Sequence, residues 1–464
     1  MEQVSLQQKI KHLYWRAGCG PSLDDFNSTA SISTHVEKIF EAATVFVPIP
    51  LSDIRKPVSD NPSEDSMRPA PKGKSNRNVE RVKLGYLTVQ KMATENSFLR
   101  EKMAFFWSNH FACQTNFSQV GLGYINIIRQ HALGNFADLL KGMSKCAAII
   151  TFLNTKKNKK QNPNENFARE LMELFTLGRG NYTETDVKEA ARAFTGWSFD
   201  DKLSFFVNKS NHDTGIKTFF GQTGNLDGDD ILNAILQKKQ CARFITEKIY
   251  RYFVNEIPDN DRVEKLAEVF YLSGYNIEKL MRIIFSSEWF YDRKNIGVKI
   301  KSPIELLAGL MKTFEVRMHD GSRFLAYMRM TGQVIFQPPN VAGWPIGRGW
   351  IDNSRLMVRL NLPFFIFETR HPIIQPEESY DAQDVMIGKD VDKPGSLITY
   401  SFDAISKNFS DTDEGKLAQN MMNYLLLTDT KNISLKIITD NRKGNNLVKA
   451  TALHILSLPE YQLC

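Results

Sequence analysis

The amino-acid sequence predicts a mainly α-helical protein, and three features of its apolar pattern lead to this fold class. Apolar residues recur with the 3.6-residue period of a helix along most of the chain. Runs with the strict alternation of a β-strand are scarce. Two long segments are rich in Pro, Ser and charge and interrupt the pattern. We therefore expect a multi-helical body with a small β-hairpin element and long irregular loops.

The helical period is clearest in four segments, which follow one another along the chain. They read "LREKMAFFWSNHF" at residues 99–111, then "CARFITEKIYRYFV", "VEKLAEVFYLSGYNIEKLMRIIFSSEWF" and "IELLAGLMKTFEV". Two strand-like runs, "KLSFFVN" and "GIKTFFGQ", lie on either side of residues 211–213, and they predict one hairpin. The Pro-, Gly- and Trp-rich stretch at residues 337–351 predicts an ordered but irregular loop.

Two polar segments suggest how the chain is organised. Residues 55–80 are rich in Pro, Ser, Asn and charge, so they cannot bury enough apolar surface to order themselves, and we expect a mobile loop. Residues 373–396 have a similar composition. We expect them to link a main helical domain, residues 1–372, to a C-terminal helical section, residues 397–464, that packs on it.

Composition excludes some classes of protein. With 59 basic and 52 acidic residues the net charge of +7 is mild for a 464-residue chain, so a dedicated nucleic-acid binder is not expected. No window approaches the roughly 20 apolar residues that span a bilayer, and the N-terminus lacks the apolar run of a secretory signal. We therefore expect no transmembrane segment and, by default, a cytoplasmic location. The basic runs at residues 72–83 and 156–160 predict solvated loops or, alternatively, contacts with phosphate or an anionic glycan.

The segment "NENFARELMELFTLG", residues 164–178, carries the densest charge next to an apolar stripe. Glu170 and Glu173 are three residues apart and share one helix face. Arg169 is four residues from both Glu165 and Glu173, so ion pairs along the helix are one explanation of this charge. The other explanation is a general acid and base, or half of a carboxylate-rich metal site. The sequence leaves both explanations open.

The segment that follows predicts a helix with a capped N-terminus. Thr183 and Asp186 have the spacing of a capping box, which makes Asp186 a helix cap rather than a catalyst. Arg192 projects away from the apolar stripe of this helix, and we expect it to hold an acid of the preceding helix. The Asp residues of "GNLDGDDI" do not fit a calcium loop and predict another helix cap near residue 227.

Two histidines are candidates for acid–base chemistry. His110 shares a helix side with apolar residues, so it is either a core histidine or one whose pKa is tuned by an apolar setting. Nine positions separate it from Glu101, which places the two on opposite sides of the helix. His212 and Asp213 lie in the predicted hairpin, where a loop can present an acid–base pair or a metal ligand.

The irregular loop at residues 337–351 contains two tryptophans that have two equally weighted interpretations. An exposed Trp344 or Trp350 would form a platform for a sugar or a peptide. Alternatively, both indoles pack against the helical body. The pattern around them does not separate these interpretations.

Taken together, several stretches resemble one family, the bacterial proteins catalogued as domain of unknown function 1800. The matching stretches occur in the family's order across nearly the whole chain. They are "HLYWRAGCGPS", "REKMAFFWSNHFA", the block from residue 164 through "AARAFTGW", "HDTGIKTFFG" with "GNLDGDDI", "KSPIELL", "PPNVAGWP" and "LSLPEYQ".

The resemblance implies a fold but no settled reaction. Family members are often encoded beside an alkaline-phosphatase-like or sulfatase-like family, and many are exported, which implies a cell-envelope role. The sequence has no evident signal, so this chain would either stay in the cytoplasm or be exported bound to a partner. Many relatives have His where this chain has Phe175 and Ser108, so a histidine-rich metal centre is not expected here.

These observations lead to two hypotheses of different classes. The first is a hydrolase-like enzyme that acts on a cell-envelope or extracellular glycan through paired carboxylates. The second is a non-enzymatic helical scaffold, or a subunit that binds an alkaline-phosphatase-like or sulfatase-like partner. Metal and cofactor are left undefined. The enzyme hypothesis assigns catalysis to Glu170, Glu173, His110, His212 and Asp213, and substrate binding to Arg169, Arg192, Trp344 and Trp350.

Overall fold

The computed structural model describes residues 4–55, 74–319, 321–368, 398–409, 412, 414–428, 433 and 445–464. Within these residues the protein is mainly helical with three small antiparallel sheets, as the apolar periodicity predicts. None of the described helices combines the length and the apolarity that crossing a bilayer requires.

The described α-helices are labelled in chain order. They are α1 Leu6–Ala17, α2 Leu23–Phe26, α3 Ile32–Ala43, α4 Leu51–Arg55, α5 Lys74–Thr94, α6 Phe98–His110, α7 Ser118–His131, α8 Phe136–Ser144, α9 Ala147–Phe152, α10 Asn166–Glu170, α11 Glu184–Ala193, α12 Gly228–Leu236, α13 Lys239–Phe253, α14 Asn260–Leu272, α15 Ile277–Ser286, α16 Pro303–Thr313, α17 Gly321–Thr331, α18 Asn353–Phe367, α19 Asp403–Phe409, α20 Glu414–Leu425 and α21 Asn445–Leu456. A π-helical segment, Leu171–Thr176, continues directly from α10.

Local capping explains where several helices begin. The capping box of Thr183 and Asp186 is present at the start of α11, as predicted. Asp227 caps α12 by accepting hydrogen bonds from the backbone N–H groups of Asp229 and Asp230, which confirms the cap expected there. Both helices then bury an apolar stripe in the main core. Local sequence thus fixes the entry points, and packing stabilises the helices.

The strands form three separate two-stranded sheets. They pair β1 Trp197–Phe199 with β2 Phe205–Val207, β3 Lys217–Phe219 with β4 Gln222–Gly224, and β5 Arg317–Met318 with β6 Ile398–Thr399.

The prediction of one hairpin on either side of residues 211–213 is therefore wrong, because the two strand-like runs belong to different hairpins. Each run instead supplies a strand that pairs with a neighbouring strand across a short turn. Asp200 accepts from the backbone N–H groups of Lys202 and Ser204 in the first turn. Gly221 supplies a φ of +83° in the second. Short turns close at a smaller entropic cost than the longer loop that the prediction required.

The prediction of a mobile loop at residues 55–80 is partly wrong. Helix α5 begins at Lys74, whereas residues 56–73 lie outside the described residues. The buried part of α5 includes Leu84, Val89 and Met92. Once packing has nucleated such a helix, each added residue forms a hydrogen bond without a new nucleation penalty, so the helix extends into the polar sequence. The predicted linker at residues 373–396 also lies outside the described part.

Residues near the end of the chain contact the first helix and the strand-like segment before α16. The Lys11 ammonium on α1 donates to the backbone carbonyls of Asn423 and Leu426, each at 2.5 Å. Ile300 and Leu463 form an antiparallel bridge. These contacts link residues near the beginning, the middle and the end of the described chain.

Candidate functional site

The most unusual backbone near the predicted carboxylate pair is the π-helical segment Leu171–Thr176. It replaces the expected α-helical turns after Glu170. Near its end, the Leu174 carbonyl accepts from the Lys248 ammonium at 2.8 Å. The Phe175 carbonyl accepts from a ring nitrogen of His110 at 3.0 Å. π-Helical turns are rare and occur often at functional sites, so this segment marks a candidate site.

The wider π turn changes the partner of Arg169. Its guanidinium binds Glu165 at 2.9 Å and Glu184 of α11 at 2.7 Å. No bond joins it to Glu173, so the expected ion pair between them is absent from the described structure. The spacing of four residues aligns two side chains only in an α-helix, whereas Glu173 lies in the π-helical segment.

Glu173 is held instead by two donors that follow it in the sequence. The Tyr182 hydroxyl donates at 2.8 Å and the Arg179 guanidinium at 2.7 Å. The hydrogen bond from Tyr182 and then that from Arg179 lower the pKa of the Glu173 carboxyl. Glu173 is therefore fixed in its ionised form.

Glu170 differs from every other carboxylate of this helix pair. It is half-buried, and within the described residues it forms neither a hydrogen bond nor an ion pair. Burial and then the charge of Glu173 raise the pKa of the Glu170 carboxyl, while the charge of Arg169 opposes them. Two neighbouring carboxyls on one helix thus have pKa values displaced in opposite directions.

A lysine-rich loop, residues 155–163, precedes this pair and is fixed to the protein body. The buried Asn158 donates to the Ala191 carbonyl at 2.8 Å and accepts from the backbone N–H of Asn164 at 2.9 Å. Its four lysines are exposed, and within the described residues none forms an ion pair; they are Lys156, Lys157, Lys159 and Lys160. We call residues 155–163 the lysine loop.

His110 lies behind the π-helical segment and is a core histidine. Because the Phe175 carbonyl can only accept, Nε2 of His110 carries the proton and Nδ1 accepts from Lys248 at 3.3 Å. Burial and then the charge of Lys248 hold the pKa of His110 well below its usual value. Burial also lowers the pKa of Lys248 to about 8. A neutral His110 therefore supports the π-helical segment from inside.

His212 and Asp213 belong to a separate cluster around Arg192. Nε of Arg192 donates to Asp213 at 2.8 Å, and Nη1 donates to Glu189 at 3.0 Å. Burial alone would raise the pKa of Asp213, but hydrogen bonds from Arg192 and from the backbone of Gly215 outweigh it and lower the pKa. Nδ1 of His212 lies 2.8 Å from the Thr195 carbonyl.

The prediction that Arg192 holds an acid of the preceding helix is wrong. Its side chain turns towards the loop that carries Asp213, and its second acid, Glu189, comes from its own helix. The link between the two helices runs through Arg169, which reaches Glu184. Both arginines therefore form ion pairs in the described structure.

Both candidate tryptophans are buried. Trp344 is 7% exposed and Trp350 is 3% exposed, so neither indole presents an open platform. Both agree with the alternative interpretation, in which the indoles pack against the helical body. The backbone N–H of Trp344 donates to the Asn109 side chain at 2.7 Å. Gly343, with a φ of +91°, allows the loop to approach Asn109 closely. The irregular loop is thus anchored on α6 through its backbone.

The nine predicted site residues therefore lie in distinct settings. Glu170 and Glu173 share the α10 and π-helical surface, and Arg169 borders it. His110 lies behind this segment, whereas His212, Asp213 and Arg192 form their own cluster. Within the described residues, no group of three His, Cys, Asp or Glu side chains has an arrangement that would hold a metal ion.

The chain matches a known protein family over nearly its whole length. The profile of the family described as "Protein of unknown function (DUF1800)" matches residues 12–463. The chain belongs to this family. The comparisons with curated proteins and with solved structures gave no match. The stretches that carry the resemblance include the whole α10, π-helical and α11 region of this DUF1800 protein.

Sequence reasoning missed three side chains that shape the candidate site of this DUF1800 protein. Lys248 lies 74 residues from the carbonyl it binds, and its sequence context is an ordinary amphipathic helix. Tyr182 and Arg179 follow the Gly-containing break after the π-helical segment, outside any helical spacing. Only the density of charge around residues 164–184 signalled this region.

Proposed function

We propose that this DUF1800 protein is a hydrolase-like enzyme that acts on a cell-envelope or extracellular glycan, with Glu170 as proton donor. The observation that carries the proposal is the half-buried Glu170 carboxyl, which has no hydrogen-bond or ion-pair partner among the described residues. Carboxylates that only stabilise a helix surface are paired, as Glu184 is. An unpaired carboxyl destabilises the fold, which is expected of groups kept for function.

The displaced pKa values suit two different roles. The raised pKa of Glu170 retains its proton closer to neutral pH, which a general acid requires. The lowered pKa of Glu173 keeps a negative charge beside the reacting group, where it stabilises developing positive charge or accepts a proton. Glycoside hydrolysis uses such a division of labour between two carboxyls.

The lysine loop supports an acidic glycan as the substrate class. Asn166, on the same stripe as Glu170, donates to the Leu153 carbonyl at 3.1 Å, just before the lysine loop begins. Four residues of helix separate Asn166 from Glu170, which corresponds to about 6 Å along the axis. Exposed ammonium groups in the lysine loop attract a polymer that carries carboxylate, sulfate or phosphate groups.

The experiment compares three variants on a panel of carboxylated, sulfated and neutral polysaccharides. Glu170→Gln and Glu173→Gln test the pair, and Glu184→Gln is the control because its exposed carboxylate belongs to the same helix pair. Release of reducing ends should fall by about 10²-fold or more in Glu170→Gln, the usual contribution of a general acid. Equal activity of folded Glu170→Gln and Glu184→Gln proteins would exclude the proposed role.

A second candidate function, a partner-binding subunit, is favoured by a different observation. Ile257 and Ile346 are 81% and 50% exposed. Their sequence neighbours Glu256 and Gly347 are in contact, so the two apolar side chains share one region of the surface. Exposed apolar residues grouped in this way are typical of protein interfaces. The partner class that the family resemblance implies is an alkaline-phosphatase-like or sulfatase-like protein.

The second candidate has its own test. A purified alkaline-phosphatase-like or sulfatase-like protein is mixed with the wild type and with Ile257→Glu, and the mass of the complex is measured by light scattering. A stoichiometric complex that Ile257→Glu abolishes and Glu170→Gln leaves intact supports the subunit role. Absence of a complex with wild type removes that support.

A further inference from the structure

Gly196 is the point at which two loops outside the Glu170 pair meet. The backbone N–H of Gly196 donates to the carbonyl of Asn158 in the lysine loop at 3.0 Å. Its carbonyl accepts from the backbone N–H of Asn208 at 2.7 Å, at the start of residues 208–215, which we call the histidine loop. A Cβ atom at this glycine would lie 2.5 Å from the Asn208 carbonyl oxygen, so a larger residue would force the loops apart. The two loops are therefore held side by side.

The two loops also bond directly to each other beside His212. The backbone N–H of Lys160 donates to the Asn211 carbonyl at 2.8 Å, one residue before His212. Lys209 of the histidine loop is exposed, like the four lysines of the lysine loop. The two loops thus carry five exposed lysines, whereas their one acidic residue, Asp213, forms an ion pair with α11 at 2.8 Å. Positive charge therefore dominates the loops next to His212.

The ring of His212 is fixed through one nitrogen, and the other nitrogen has no partner. Nδ1 lies 2.8 Å from the Thr195 carbonyl. Because a carbonyl only accepts, Nδ1 carries the proton and is the donor of this bond. Nε2 has no hydrogen-bond partner within the described part of the chain, and the side chain is partly exposed. A proton added at Nε2 creates a second donor and a positive charge without breaking the bond to Thr195.

Charged groups on the neighbouring elements do not cancel such a charge. The groups near His212 on its own loop, the lysine loop, α11 and β3 are Lys209, Asp213, Lys160, Glu189, Arg192 and Lys217. Arg192 binds both acids, Asp213 at 2.8 Å and Glu189 at 3.0 Å. The buried Lys217 ammonium donates to the Asp213 carbonyl at 2.7 Å. These two acids balance Arg192 and Lys217, so a protonated His212 adds to the charge of the exposed lysines.

We propose that His212 and the lysine loop together bind the acidic groups of a polysaccharide, and that protonation of His212 tightens the binding. This inference rests on the acidic glycan class proposed above and adds a regulated contact outside the Glu170 pair. Sulfate or carboxylate oxygens accept from Nε2–H of the protonated ring and from the lysine ammonium groups. Residues 155–163 and 208–215 contain no Phe, Tyr or Trp, so they lack the stacking platforms on which proteins hold single-stranded nucleic acids.

The test measures binding of the full chain to dextran sulfate and to uncharged dextran by isothermal titration calorimetry at constant ionic strength. The protein carries Glu170→Gln, so the result does not depend on the proposed proton donor. Titrations at about pH 5.5 and about pH 8 bracket the range in which histidines change charge. Sulfate esters stay ionised at both values, so a difference in affinity reports on the protein. Dextran sulfate should bind about tenfold more tightly at the lower pH, which corresponds to one hydrogen bond from a charged group.

Three variants locate the site. In His212→Asn the amide nitrogen replaces Nδ1 in the bond to Thr195 and nothing replaces Nε2, so the affinities at the two pH values should differ by less than about threefold. His454→Asn is the matched control, since His454 on α21 is also exposed, and it should keep the full pH response. Lys160→Gln should weaken the binding of dextran sulfate at both pH values, because it removes one attracting charge.

The inference is overturned if dextran sulfate does not bind, if His212→Asn keeps the pH response, or if His454→Asn loses it equally. Tighter binding of a single-stranded oligonucleotide of matched charge would assign the site to nucleic acid and would also overturn it. Release of reducing ends by the protein with Glu170 intact tests the proposed function separately. Absence of hydrolysis together with the expected pH response would remove the hydrolase proposal and leave this binding site in place.

Discussion

The buried carboxylate of Glu305 gives the largest stability effect that we expect from a single substitution. Glu305→Gln removes one negative charge and leaves Lys102 and Lys299 without a counter-charge, although Glu305 and Lys102 are each only 1% exposed. Removing one partner of a buried ion pair costs about 3–5 kcal/mol. Glu184→Gln breaks an ion pair whose carboxylate is 68% exposed, and such pairs contribute about 0–1 kcal/mol.

Urea unfolding followed by circular dichroism measures both variants. With a slope of about 3 kcal/mol per molar urea, the Glu305→Gln midpoint should fall by about 1–1.7 M, whereas that of Glu184→Gln should move by no more than about 0.3 M. If Glu305→Gln unfolds within about 0.3 M of wild type, the carboxylate does not hold the buried lysines.

Three further predictions concern pH and the candidate site. Burial would raise the pKa of Glu305, but Lys102 and Lys299 lower it well below its usual value. The Glu305 carboxylate therefore stabilises the folded protein above the unfolded pKa of about 4.3, and this stabilisation is lost as the pH falls through the folded pKa. Acid titration of wild type should show this loss, and Glu305→Gln should lack it. Glu170 has a raised pKa, so the contribution of its carboxyl to the stability of the fold is most favourable below about pH 4.3. This contribution is lost as the pH rises through the folded pKa. Glu170→Gln should therefore be more stable than wild type by about 1 kcal/mol at pH 7.5, and the gain should vanish at acid pH in parallel thermal scans. Lys248→Met leaves the Leu174 carbonyl and the His110 ring without their donor, so urea unfolding should show a loss of about 1–3 kcal/mol. A wild-type midpoint for that variant would contradict the role of Lys248.

Local patterns predicted the parts of this fold that depend on neighbouring residues. The helical period identified the helical segments, and the spacing of Thr183 and Asp186 predicted the start of α11. His110 was predicted to lie on the apolar side of its helix, and the structure has it buried. These features follow from side chains within about one helical turn, which a sequence displays directly.

Predictions failed where a distant contact or an altered helix decided the outcome. The spacing of Arg169 and Glu173 assumed an α-helix, which the π-helical segment replaces. Glu305 and Lys102 are 203 residues apart, so no local spacing signals their contact. Trp344 lies in an irregular loop whose position depends on a hydrogen bond to Asn109. In each case tertiary packing determined the result.

The proposed role of Glu170 as proton donor requires that the neighbouring carboxyls of Glu170 and Glu173 have pKa values displaced in opposite directions from the usual value. Carbon-13 NMR of protein labelled at the glutamate carboxyls measures this directly, with Glu170→Gln and Glu173→Gln used to assign the two signals. We expect a pKa above about 4.3 for Glu170 and below about 4.3 for Glu173. Equal values, or the reverse order, would contradict the assignment of Glu170 as the proton donor.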